Sequence, residues 1–194
     1  MILANGVGGY AWTGADAGGF FGNPSTEMLV RWYQAAAFAP FFRAHAHIDT
    51  KRREPYLFDD PERSYLRDAL RLRYSLLPAL YTAFWHSSRT GLPIARPHYL
   101  VLPDDAEGFA VDDQYFIGET GLLIHPVVTE GATDASVYFA GSQVRSHCSA
   151  ALNKTAVHRL PDRRRLRRGR ARDRAGAARH AAHLPARWHD HPAA

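Results

Sequence analysis

A chain of 194 residues is long enough for a domain with its own core, and a single cysteine, Cys148, excludes an internal disulfide. The formal charge of +5 is unevenly placed: residues 1–150 carry 12 Lys and Arg against 16 Asp and Glu, residues 151–194 carry 12 against 3. The basic balance therefore belongs to the tail and identifies no nucleic-acid partner for the rest; no run reaches the roughly 18 apolar residues of a membrane span.

In chain order, the opening MILANGVGGYAWTGAD lacks the positive region of a signal peptide. Residues 7–15 (VGGYAWTGA) predict a short buried strand, with Asp16 at its C-terminal end and the loop AGGFFGNP behind it. NPSTEMLVRWYQAAAF predicts a helix that Asn23 or Ser25 can cap, with Pro24 in its first turn and Glu27 at the positive dipole end. Met28, Leu29, Trp32, Tyr33 and Ala36 fall on one apolar face, and Ala39-Pro40 ends the helix. A polar loop, FFRAHAHIDTKRREPYLFDD, leads to Pro61 and a longer helix. Leu66, Leu70, Leu76, Leu77 and Leu80 mark its buried side, Pro78 its kink and Gly91 its stop.

Residues 93–101 (PIARPHYLV) predict a second strand, so strand, helix, loop, helix and strand make a βα repeat of the kind that builds parallel sheets and barrels. Beyond Asp104, QYFIG, GLLIHPVV and ASVYFA are short β-rich runs between glycine turns, as in an antiparallel module, and a boundary falls near residue 103. From about Ser142 the chain is mostly Arg, Ala, His, Pro, Leu, Asp and Gly, with no sustained apolar period. Such a segment buries too little surface to offset chain ordering, so residues 142–194 are expected to be disordered.

Three runs could carry chemistry. GADAGGFF places an acid, paired glycines and two phenylalanines together. It suits a sugar ring, whose C–H face stacks on an aromatic while hydroxyls bond a carboxylate, and equally a tight βα turn with buried Phe and a capping Asp. In PFFRAHAHID, His45 and His47 alternate and point the same way in an extended segment. They fit hydroxyl donation or ordinary loop histidines better than a zinc site, which would need more ligands. DTKRREPYL predicts a solvated loop of salt-bridged Lys51, Arg52 and Arg53 with Asp49 and Glu54. The Arg-rich tail offers either electrostatic binding to phosphates or the composition of GC-rich DNA read in a wrong frame.

Taken together, MILANGVGGYAWTGADAGGFFGNP, LVRWYQAAAFAPFFRAHAHIDTKRREPYLF, RDALRLRYSLLPALYTAF, TGLPIARPHYL and FAVDDQYFIGETGLLIHPVV closely resemble glycoside hydrolase family 31. RAHAHIDTKRREP is similar to its glucosidase II branch, and the resemblance covers residues 1 to about 141. It implies an α/β fold: residues 1–103 as the last two βα units of a (β/α)8 TIM barrel, residues 104–141 as the start of a β-sandwich, and residues 142–194 as a disordered, frameshifted tail.

It also implies a retaining α-glucosidase releasing terminal α-linked glucose from N-glycans in the endoplasmic-reticulum lumen. A regulatory β subunit would be its partner, with no metal or cofactor, nucleic acid or membrane span. Retention needs two carboxylates about 5–5.5 Å apart. The family's pair lies in W-x-D-M-N and G-D-N contexts, neither of which occurs here. The resemblance therefore puts both catalytic groups upstream of Met1, which would be an internal methionine. It makes Asp16 a pocket-shaping acid, Phe20 the aromatic wall of the subsite, and His45 the histidine that hydrogen-bonds the terminal glucose. Arg43 is expected to support Asp16 by an ion pair. Alone, such a fragment would be inactive. A noncatalytic, pseudogene-like product and another family 31 activity such as α-xylosidase are the alternatives.

Overall fold

The computed structural model describes residues 1–140 together with the backbone of residues 146–149 and 156–159. Its first element is a short helix, α1 (Ile2–Val7), which ends at the first residue of the strand expected over 7–15. The strand expectation holds only at its far end. Phe41 N donates to Thr13 O at 3.0 Å and Ala17 N to Arg43 O at 2.8 Å, and Asp16 and Arg43 form a parallel bridge.

The parallel neighbour of residues 13–17 is thus 41–43, inside the segment read as a loop, and not 93–101. Small residues are needed here because the backbones nearly touch: a Cβ on Gly14 would stand 2.0 Å from Phe41 O. The period of the sequence concealed the pairing, because each partner contributes only a few residues to it.

Between these two segments runs α2 (Thr26–Ala36). Ser25 takes the cap, its hydroxyl accepting from Met28 N at 3.2 Å. Asn23, the other cap candidate, instead accepts from Lys51 N at 2.8 Å. The buried face is Leu29, Val30, Tyr33 and Ala36, one position round from the expected stripe. Met28 is exposed, and Arg31 is buried because it pairs with Glu27 at 2.7 Å and donates to Ala132 O at 2.9 Å.

Facing α2 is α3 (Glu62–Thr90), 29 residues that continue through Pro78 and end at Gly91, φ 72°. Leu66 and Ala69 close a core with Ala17, Leu29, Val30 and Tyr33. Further along, Leu80 and Ala83 join Phe38, Ile94, Tyr115, Ile117 and Ile124 in a second. Leu70 and Leu76 are half-buried, and Leu77 faces out. Arg73, midway, donates to the carbonyls of Ala37, Ala39 and Pro40 and fixes the chain entering residues 41–43.

The segment 93–101 is not one strand. It holds β1 (Ala95–Arg96) and a helical turn, α4 (His98–Val101), and β1 pairs antiparallel with β2 (Tyr115–Ile117). Pro93 and Pro97 withhold the donors that a longer ladder needs. β3 (Leu122–His125) adds to β2, and the four-stranded order is β1-β2-β3-β6, where β6 is Ala156–Arg159. A second pair joins β4 (Asp134–Val137) to β5 (Ser146–Ser149).

Two strands therefore lie within the stretch expected to be disordered; the rest of that stretch falls outside the described residues. Each extends a partner strand in the antiparallel module, a stabilisation that a local composition does not reveal. No helix among the described residues is long and apolar enough to cross a membrane.

Candidate functional site

Where the parallel segments 13–17 and 41–43 end, the chain opens into two loops, 18–23 and 44–54, and these carry the candidate residues. Asp16 and Arg43, bridge partners through their backbones, also meet through their side chains. Arg43 Nε donates to Asp16 Oδ1 at 2.6 Å and Nη2 to Oδ2 at 3.2 Å, a bidentate pair. The hydrogen bond that Arg43 donates to Asp16 raises the Arg43 pKa, so the guanidinium stays charged. A carboxylate held this way keeps lone pairs for another donor.

Two residues beyond Asp16 the chain turns. Gly18 and Gly19 both take positive φ, 89° and 82°, conformations an L side chain resists. They deliver Phe20 to the opposite loop. Its ring lies 5.5 Å from that of His45, tilted by 39°, and 5.9 Å from that of His47. The Phe21 ring lies 5.4 Å from that of His47, tilted by 34°. Backbone joins the loops too: His47 N donates to Phe20 O at 2.8 Å.

His45 is exposed and Phe20 is 36% exposed, so both present surface. The folded chain thus gathers Asp16, Phe20, Arg43 and His45 at the ends of two adjacent parallel segments. Chemically, this offers an apolar ring face, an imidazole and a salt-bridged carboxylate.

Arg53 has a different place from the one its sequence suggests. Arg52 does make a surface pair, with Glu54 at 3.0 Å, and its side chain is 68% exposed. Arg53 turns inward. Its Nη1 donates to Gly18 O at 2.8 Å, and Nη2 to Gly19 O and, at 3.4 Å, to His45 O. A run of adjacent charges gives no signal for this. Only alternation along an extended loop hints that neighbours point to opposite sides.

Residues 1–83 match the glycosyl hydrolases family 31 TIM-barrel domain, and residues 91–158 match the glycosyl hydrolase family 31 C-terminal domain. The chain belongs to glycoside hydrolase family 31. Its C-terminal family match runs to residue 158, past the limit near 141 that the motifs suggested.

Among relatives in family 31, the glucosidase 2 subunit alpha of Schizosaccharomyces pombe is 53% identical over 143 residues, which is 74% of this chain and 16% of that protein. The chain thus spans about one sixth of that relative. A crystal structure of a glucosidase II alpha subunit, in its Glc1Man2-bound form, superposes with a TM-score of 0.78 at 43% identity, over 80% of this chain and 19% of that one. A crystal structure of an ER glucosidase II heterodimeric complex, the catalytic subunit with the binding domain of the regulatory subunit, gives 0.77 at 44%, over 80% and 18%.

Proposed function

We propose that this chain supplies the glucose-holding end of the catalytic domain of a retaining α-glucosidase of the glucosidase II type. Phe20 packs the C–H face of the terminal glucose, His45 bonds a hydroxyl, and Asp16, held by Arg43, shapes the floor of the pocket. The observation that carries this reading is the placement of Phe20 against His45 beside the Asp16–Arg43 pair, in the place where barrel enzymes keep their sites. The two carboxylates that break the glycosidic bond belong to another part of the parent enzyme, so this chain alone turns nothing over. Likeness to glucosidase II subunits supports terminal glucose on N-glycans as substrate, the endoplasmic-reticulum lumen as compartment and a regulatory subunit as partner. No metal or cofactor takes part.

The test is a graft: the S. pombe subunit with residues 1–140 of this chain replacing its matching segment. The graft is expected to hydrolyse a chromogenic α-glucoside. His45→Ala in it should lower kcat/KM by about tenfold to a hundredfold, the value of one or two buried hydrogen bonds to substrate. An unchanged kcat/KM rejects the assignment.

A further inference from the structure

We propose that Arg53 is a positioning residue that holds the Phe20 loop and the His45 loop in register, an inference that rests on the reading of those two residues as the glucose subsite. Three backbone carbonyls converge on its guanidinium. Gly18 O and Gly19 O lie on one loop and His45 O on the other. Both glycines that offer these carbonyls have positive φ, a shape that an L side chain resists, and at Gly18 the surrounding space is closed as well. A Cβ on Gly18 would stand 2.7 Å from Leu29 Cδ1 and 3.1 Å from Arg53 Nη1.

Each loop is thus shaped to meet a planar fork. An arginine can satisfy such a set at fixed angles, whereas an ammonium is a point charge that cannot. Across the same gap the backbone adds the bond from His47 N to Phe20 O, and the Lys51 N bond to Asn23 adds another. Removing Arg53 leaves the two partly buried glycine carbonyls and the exposed His45 carbonyl without their charged donor and lets Phe20 drift from His45. Displacement of about 1 Å in a positioning group costs on the order of a hundredfold in rate.

The experiment uses the same graft with Arg53→Ala, Arg53→Lys and, as a surface control, Arg52→Ala. Arg53→Ala should raise KM for the α-glucoside and Ki for an iminosugar by about tenfold, Arg53→Lys should fall between, and Arg52→Ala should match the parent graft. A purely structural role would reduce the fraction of active enzyme, found by active-site titration, and leave KM and Ki alone; that result overturns the inference. If Arg53→Ala gives no soluble enzyme, Arg53→Lys decides, and parental KM and Ki for it count against the proposal. His45→Ala separates the two levels. Loss of activity there with no change for Arg53→Ala sinks the positioning role alone, whereas no loss at His45 sinks the subsite reading beneath it.

Discussion

Gly14 and Gly22 show how one residue type meets two different demands near the site. Gly22 has φ 73° with nothing within 4 Å of a would-be Cβ, so its constraint is conformational only. Gly14 has an ordinary φ and no room, since its Cβ would meet Phe41 O at 2.0 Å. Substituting Gly22→Ala costs about 1–2 kcal/mol of left-handed strain and touches no neighbour. Gly14→Ala must push residues 41–43 away from 13–17 and so parts Asp16 from Arg43 as well. In the graft, Gly14→Ala is expected to lower both Tm and kcat/KM, while Gly22→Ala lowers Tm slightly and leaves kcat/KM near the parent. Equal effects in thermal melts and in kinetics would contradict this division. Small residues near Asp16 are visible in the sequence, but what they approach is not, because the partner lies 27 positions on.

The two long helices, α2 and α3, were the most legible elements, for local reasons. Ser25 and Gly91 are caps whose chemistry acts within one turn, and α2 and α3 end where those residues stand. Among the β elements, β2, β3 and β4 fall on the expected runs QYFIG, GLLIHPVV and ASVYFA, whereas β1 takes its direction from β2, some 20 residues later, and β5 and β6 exist through β4 and β3. The antiparallel module is also pinned by a buried polar chain that no motif announces. Gln114 Nε2 donates to Tyr138 O at 2.7 Å and lies 2.8 Å from His98 Nε2, while Gln114 Oε1 accepts from Tyr138 N at 2.9 Å. The Tyr138 hydroxyl reaches both oxygens of Asp105 at 2.9 Å.

With its amide oxygen taken by Tyr138 N, Gln114 presents its NH2 to His98, which must accept and hence be neutral. Burial lowers the His98 pKa below its ordinary 6.5, against the opposing pull of Asp105 and Asp113. A histidine with a depressed folded pKa binds its proton more readily when unfolded, so its contribution is present above pH about 6.5 and is lost as pH falls below that. Hydrogen exchange of the peptides spanning α4 and β2 in the graft, corrected for intrinsic rates, should therefore accelerate at pH 5.5 relative to pH 7.5. Equal protection at the two pH values would refute the account.

At the scale of the molecule, the distribution of apolar surface bears on what this chain can do unaided. Tyr74, Leu77, Tyr81 and Trp85 follow one another at spacings of three and four along α3 and are exposed, whereas Leu66, Ala69, Leu80 and Ala83 are buried. Tyr81 is 79% exposed and Tyr74 72%, and near the start of the chain Tyr10 and Trp12 are exposed to a similar degree. A helix apolar on both sides is one that expects neighbours on both sides. With a family 31 relative about six times as long as the 143-residue segment it shares with this chain, the remainder of such a protein is the natural cover for the outer stripe.

The 194-residue chain produced by itself is therefore expected to associate through this surface, to bind a hydrophobic dye, and to melt without a sharp transition. It should also leave a chromogenic α-glucoside intact, because the proposed glucose subsite has one carboxylate, Asp16, where retention needs two about 5–5.5 Å apart across the anomeric carbon. Size-exclusion chromatography with a calorimetric scan tests the first half, and a long incubation with substrate tests the second. A monodisperse monomer with a cooperative melt would mean that the outer face of α3 tolerates water, and measurable turnover would move the bond-cleaving acids into this chain.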